Sequence, residues 1–423
     1  MQNLAERDYY TDHSILRDPY TFFEALRAHG PVYKPPGRDY WIVTGFQEVL
    51  EVMGNTRDFS ATIALQGAAV PLPFTPEGSD ISAQVSAHQY DFHGGDLVVN
   101  YDDDLHKNSR SLLNRLFVPS RLKANQEFMS AFADQLAKKA VSKGGCELMS
   151  EVATPFVTLV VADLLGVPAE DRQLFMDALS SGPPPGSLDT EEMLHAPSPL
   201  DLMARYFIGY VTDRRANPRQ DILTDLATAK FPDGSTPDTM EIVRLSTFLF
   251  AAGQDTSAKL LGNSIRYIVD EPGLQEQLRG NPTLIPSLLE EVLRLEGSTK
   301  ATARLARKDT TVGGMTIPAG SKMLLSLAAA NRDPRRWEDP ARFKLNRPSH
   351  REHLSFGRGA HTCAGAPLAR AEVRVILEKF LSQTSQIDIV AEKHGPRGNR
   401  MYDFEPSFIT RGLSELHVTF VPA

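Results

Sequence analysis

The residues of this chain best suited to chemistry lie in Phe356-Gly357-Arg358-Gly359-Ala360-His361-Thr362-Cys363-Ala364-Gly365, where three glycines and one thiol fall within ten residues. A helical pattern follows at once, from Ala366 to Glu372. A glycine-rich turn lets backbone pass close to a flat ligand where Cβ atoms would collide. A cysteine just ahead of a helix N-terminus faces unpaired N–H donors and a positive dipole end, which favour thiolate over thiol. A thiolate held against a flat ligand is the proximal arrangement of a haem-thiolate centre. The same residues allow two other readings. Cys363 as a buried free thiol would pack as a small hydrophobe, which leaves the clustered glycines unexplained. Cys363 and His361 as a nucleophile–base pair would be unusual, because catalytic Cys and His normally lie far apart in sequence.

Two further groups of residues sit on helical patterns. Ala251-Ala252-Gly253-Gln254-Asp255-Thr256 places a polar cluster inside a long helix. Gly253 weakens that helix by about 1 kcal/mol relative to Ala, and Thr256 can bond the carbonyl of Ala252 one turn back and distort it. Such a distortion could admit a small ligand and offer it a hydroxyl. It could equally be an ordinary kink with a satisfied Thr and a solvated Asp. In Glu290-Glu291-Val292-Leu293-Arg294, the three-residue spacing puts Glu291 and Arg294 on one face, where they can pair.

The ten-residue loop resembles the cysteine-ligand loop of the cytochrome P-450 family, Phe-Gly-x-Gly-x-His-x-Cys-x-Gly, at every fixed position. The following Gly365-Ala366-Pro367-Leu368-Ala369-Arg370-Ala371-Glu372 is similar to the start of the proximal helix in the family's soluble bacterial branch. The resemblance runs from about residue 17 to the C-terminus, with the long-helix cluster, Glu-x-x-Arg, Asn331-Arg332-Asp333-Pro334 and cysteine loop in the family's order. It implies haem b as cofactor with Cys363 as the iron ligand. It implies that Ala252 and Gly253 form an oxygen groove, that Thr256 stabilises dioxygen there, and that Asp255 relays protons. His106, Arg110, Arg304 and His353 would serve the haem propionates, with Phe356, Gly357, His361 and Gly365 around the ring. Glu291, Arg294 and Arg347 would form a structural network, although Lys344 stands where the family usually has Asp. Asp102-Asp103-Asp104-Leu105 also departs from the family's Asp-Pro-Pro-Glu.

The implied pocket is apolar, with Phe248, Ala251 and Ala252 on the long helix, Thr299 to Thr302 after Glu-x-x-Arg, and the tail turn at Phe408 and Ile409. Lys300 is expected to snorkel to solvent, since an uncompensated buried lysine is costly. The implied activity is insertion of one oxygen atom from dioxygen into a lipophilic small molecule, with hydroxylation the expected outcome. A ferredoxin-type donor and its reductase would supply electrons, because the chain carries no flavin or iron–sulfur motif. Arg110, Arg115, Arg358, Arg370 and Arg374 are candidates to dock it. A haem-thiolate sensor without turnover is the alternative, and a cysteine hydrolase a further rival.

Bulk properties agree. The chain has 423 residues, 41% hydrophobic, and a formal charge of 45 − 53 = −8. That suffices for a large core, and no basic run points to nucleic acid. Two cysteines give no disulfide framework and fit a reducing cytoplasm. The polar N-terminus reads as neither signal nor anchor, and Phe156 to Val167 is too short to span a bilayer, which takes about 20 residues. A cytoplasmic monomer with no membrane anchor is expected.

The elements that must position these residues are mostly helical. Apolar residues recur at helical spacing near 106–117, 120–142, 149–166, 168–180, 200–215, 219–228, 237–269 and 283–296. Strands are expected at 32–33, 40–44, 310–312, 315–317, 322–327 and in the tail. Residues 61–100 and 181–205 read as substrate-access loops. The expectation is a single domain over 1–423, mainly α with a minor β region, holding haem between a long distal helix and the proximal cysteine loop and helix.

Overall fold

The computed structural model describes residues 4–180 and 199–423. The part of the second expected access loop at 181–198 lies outside the described residues.

The long helix, Thr239–Asp270, is the axis of the fold. Its 32 residues span about 48 Å. Asp238 caps it, its carboxylate accepting the Glu241 amide at 2.7 Å. Chain past Asp270 meets Pro272, which cannot continue a helix. Ile242, Phe250, Leu261, Ile265 and Ile268 are fully buried along it. Around this axis pack Thr154–Leu164, Pro199–Ala216, Ile285–Glu296 and the proximal helix Ala366–Gln383. Asp103–Leu116 and Pro119–Ser142 complete the helical layer that bears on the cysteine loop. The expected helix at 149–166 is split: Met149–Ala153 is a π-turn, and the α-helix proper begins at Thr154.

Among the described residues ten short strands form three sheets. β1 (Val32–Tyr33), β2 (Trp41–Val43), β3 (Phe59–Ser60), β5 (Ala301–Ala306) and β8 (Lys322–Ser326) make a five-stranded sheet in the order β1-β2-β8-β5-β3. Its central contact is β5 against β8, antiparallel with Ala303 opposite Leu324. β4 (Gly145–Glu147), β9 (Thr384–Ile389) and β10 (His417–Pro422) form a second sheet, and β6 (Thr310–Val312) with β7 (Met315–Ile317) a hairpin. The architecture is mainly α with a minor β region, as the sequence predicts.

Residues 61–100 are held, not loose. They contain a short helix, Ser82–Ala87. Asn100 donates to the His93 and Gly94 carbonyls at 3.0 and 2.9 Å, and Gln89 to the Gly95 carbonyl at 2.9 Å. Ile63, Ala68 and Phe92 are buried in the same cluster as Tyr9 and Tyr10. The ordered chain therefore extends N-terminal to residue 17, with Tyr9 Oη donating to the Phe408 carbonyl at 2.8 Å.

Glu291 and Arg294 are wholly buried and joined by two bonds of 2.9 and 2.8 Å. Arg347 Nε adds bonds of 2.9 and 3.1 Å to the same carboxylate. Lys344 takes part through its backbone amide, 3.0 Å from Glu291 Oε1, while its ammonium turns outward to Asp339 at 2.8 Å.

Candidate active site

Inside the helical layer lies a cavity of about 310 Å³. One side is the long helix, which presents Phe248, Leu249, Ala252, Gly253, Thr256 and Ser257. The opposite side is the loop from Phe356 through Gly365, followed by Leu368, Ala369 and Glu372 of the proximal helix. Thr256 and Cys363 thus face one space from two elements that are far apart in sequence.

The cysteine loop owes its shape to two glycines. Gly357 and Gly359 have φ of +66° and +74°, a region that L side chains rarely adopt. A Cβ at Gly359 would stand 2.8 Å from the Met53 carbonyl, so helix Phe46–Gly54 also forbids a side chain there. The clustering therefore answers turn geometry and packing as well as any ligand. Cys363 hangs from the turn by its amide, bonded to the Phe356 carbonyl at 2.8 Å, with its thiol open to the cavity. Burial pushes that thiol up, against the pull of the Gly365 amide, Arg110, the Ala366 amide and Arg370. The thiolate-favouring donors expected from the sequence are present, but desolvation outweighs them in the chain alone.

On the facing helix, Thr256 Oγ1 donates to the Ala252 carbonyl at 2.9 Å. Ser298 Oγ donates to the Thr256 carbonyl at 2.6 Å. The helix is unbroken from Thr239 to Asp270, so the expected distortion is limited to these side-chain bonds. A Cβ at Gly253 would sit 3.2 Å from Val161 Cγ2, so the glycine keeps this wall close-packed.

One part of the cavity wall is cationic, carrying Arg304 and Arg110. Arg304 is buried, and its guanidinium donates to the Ala303 carbonyl at 2.7 Å with Thr302 Oγ1 at 3.4 Å. Burial pulls it down to about 10. Arg110 Nη2 reaches the Thr362 carbonyl at 2.5 Å. Among the described residues neither arginine forms an ion pair. The His106 and His361 rings stand 4.1 Å apart beside them. Burial, with the arginines adding to it, pulls these imidazoles down to about 4 and about 2. Two guanidiniums without an ion pair, lining one cavity together with a thiol, fit the two carboxylates and the iron of a haem.

The chain itself settles the family. A solved structure of a substrate-free cytochrome P-450 from Mycobacterium marinum superposes with a TM-score of 0.92 at 46% identity, covering 99% of this chain and 100% of that one. The chain belongs to the cytochrome P-450 family. Cytochrome P-450 144 of Mycobacterium tuberculosis is 33% identical over 88% of this chain and 84% of its own length. A Bacillus megaterium cytochrome P-450 crystallised with corticosterone matches at a TM-score of 0.80 and 26% identity, covering 96% of this chain and 99% of that one. The family profile itself, Cytochrome P-450, matches residues 201–386. This cytochrome P-450 is accordingly a haem-containing monooxygenase that draws electrons from an external redox partner. Among the described residues no helix is long and apolar enough to cross a membrane.

Several expected site residues are placed elsewhere. His353 is buried away from the cavity, its Nε2 3.1 Å from Glu290, a carboxylate also held by Arg370 at 2.6 and 2.9 Å. The histidine beside Arg304 is instead His361. Asp255 does not reach the cavity: it is paired with Lys259, one turn on. Ala251 and Ile409 are not lining residues; Leu249 takes the place of Ala251, and Phe408 packs with the N-terminal tyrosines. Lys300 does not snorkel. It is fully buried, its Nζ donating to the Leu16 carbonyl, and burial holds it well below an ordinary lysine. Of residues 61–100 only Val98 and Val99 touch the cavity.

Sequence reasoning overlooked Glu372. It lines the cavity, is 1% exposed, bonds Ser257, and is pushed up to about 8 by burial. The signal was available: it shares the apolar stripe with Leu368 at i, i+4.

Proposed function

We propose that this cytochrome P-450 oxidises a neutral lipophilic molecule, with Cys363 as the axial ligand and Thr256 as the hydroxyl beside the reacting oxygen. The observation that carries the reading is the single cavity onto which both residues open, walled otherwise by Phe248, Leu249, Val161 and Leu164. Haem, when bound, supplies the iron at which dioxygen is reduced, one oxygen atom passing to substrate and the other to water. Ala252 and Gly253 leave the space above it open. Arg304 and Arg110 would pair with the propionates, and His106 and His361, kept neutral by burial, would donate hydrogen bonds to them without adding charge.

Thr256 has one hydroxyl proton and now spends it on the Ala252 carbonyl. Rotation about χ1 would turn that donor into the cavity. Asp255, the preceding residue on the helix and paired with Lys259, would receive protons from solvent and pass them by water. A neutral substrate is favoured because the apolar half of the cavity carries no cation: Lys300 points to Leu16. The corticosterone-bound relative supports a steroid-sized neutral ligand. For electrons we favour a ferredoxin-type donor with its reductase. The docking patch would be Arg115 and Arg358, which make no ion pair among the described residues, whereas Arg370 and Arg374 are engaged with Glu290 and Glu378. We take the chain as one domain acting as a cytoplasmic monomer.

The test is spectroscopic. Cys363→Ala should abolish the red-shifted carbonyl band of the reduced protein; its survival would remove Cys363 as ligand. Spin-state titrations should then rank a neutral steroid above a fatty acid of similar size. Carboxylates binding tenfold tighter would overturn the neutral-substrate reading.

A further inference from the structure

A second cavity, of about 440 Å³, lies at the edge of the five-stranded sheet and shares no residue with the haem cavity. The β1–β2 hairpin gives it Trp41, the segment after it Leu72 and Phe74, and the start of β8 gives it Lys322. Its wall is fixed. Gly320, at φ +83°, packs so close to Pro76 that a Cβ would stand 2.8 Å from that ring.

Lys322 is the unusual member. It is 5% exposed, yet its counter-charges are weak. An ammonium has three donors. Here one faces the Val70 carbonyl at 3.2 Å and another the Asp39 carboxylate at 3.4 Å. Charge-assisted bonds to carboxylate are ordinarily about 2.7–2.9 Å, and Asp39 is 89% exposed, so water screens most of its attraction. A nearly buried cation without a close anion is costly. A second cation, Lys34 Nζ, stands 5.9 Å from the Trp41 ring centre at the same cavity. Two ammoniums and two aromatic walls describe a ligand with an anionic head and an apolar body.

We propose that this groove binds a small amphipathic carboxylate, its head on Lys322 and Lys34 and its body against Trp41 and Phe74. The charge requirement separates the two cavities: the haem cavity takes the neutral lipophile and the groove takes the acid. Asp39 occupies the head position when the groove holds no ligand and is displaced by it.

The experiment uses the holoenzyme with 4-phenylbutyrate as probe and 4-phenyl-1-butanol as its uncharged counterpart. Saturation-transfer NMR and Trp fluorescence report groove binding, and the Soret band reports the haem cavity separately. The acid should bind about tenfold tighter than the alcohol, without a spin-state shift. Lys34→Met, at an exposed site that the fold does not need, should weaken the acid about three- to fivefold, in line with one partly exposed ion pair. Lys322→Met should weaken it further. Asp39→Asn, by removing the competing carboxylate, should tighten it. The proposal is overturned if acid and alcohol bind alike, if Lys34→Met and Asp39→Asn both leave the acid's affinity unchanged, or if the probe's only effect is on the Soret band.

Discussion

The Lys259 ammonium holds Asp255 in place: the two residues lie one turn apart on the long helix, and the same buried Nζ stands 2.8 Å from Glu405 and 3.1 Å from Thr410. Lys259 is 1% exposed, and its stem lies so close to Gly412 that any Cβ there would collide with it. Asp255 is therefore anchored on the side of the helix away from the haem cavity. Burial pushes Glu405 up, and only the lysine opposes this strongly. Lys259→Met leaves two carboxylates facing one another and should cost about 3 kcal/mol, read by denaturant unfolding. Glu405→Gln in the same chain should recover part of that loss. No change in the unfolding midpoint would mean that the ammonium is dispensable.

Thr256→Ala removes one hydroxyl whose bond to Ala252 contributes about 1 kcal/mol or less. Stability should barely move and substrate spin shifts should persist. Product formed per reductant consumed should fall, with the difference appearing as hydrogen peroxide. Unaltered coupling would return Thr256 to a purely local role in the helix.

Glu372 gives the fold a pH dependence of known sign. Its folded value of about 8 lies above the ordinary 4.5, so the buried carboxyl contributes its full stability below about 4.5. As pH rises the unfolded state loses its proton first, and stability falls until the folded state also ionises near 8. Glu372→Gln, which cannot ionise, should flatten the melting temperature between pH 5 and 8. The gain over wild type should be greatest at the alkaline end. Parallel profiles for the two proteins would show that this carboxyl is not protonated in the fold.

Arg304→Leu should weaken retention of haem while leaving the apoprotein folded, because Asp102, the carboxylate nearest the guanidinium, keeps Arg307, Ser60 and the Ala61 amide as partners. Arg294→Leu should do the opposite kind of damage. It strands the fully buried Glu291 with one arginine fewer, at about 3–5 kcal/mol, and should lower soluble yield before haem is considered. Haem content per folded chain separates the two outcomes.

Much of this was legible in the sequence. The cysteine loop was readable because its turn needs glycine at fixed positions whatever lies around it. The long helix was readable because its apolar period is sustained. Most departures fall where a residue's neighbour is distant in the chain. Lys300 was expected at solvent because nothing local compensates it; its acceptor is the Leu16 carbonyl, 284 residues away. The expectation of His353 at the haem follows position alone, whereas Glu290, a carboxylate shared with Arg370, binds it away from the cavity. Asp255 has its partner close in sequence: Lys259, four residues on, pairs with it. Glu372 was passed over because an acid on an apolar stripe is identified only by what it faces.

The Lys344 amide carries a different kind of consequence. At this position the chain reaches the Glu291 carboxylate with a main-chain N–H, which every amino acid but proline possesses. The side chain at this position is thereby released from duty inside the fold. It is free to drift, and the sole substitution that would unmake the anchor is Lys344→Pro.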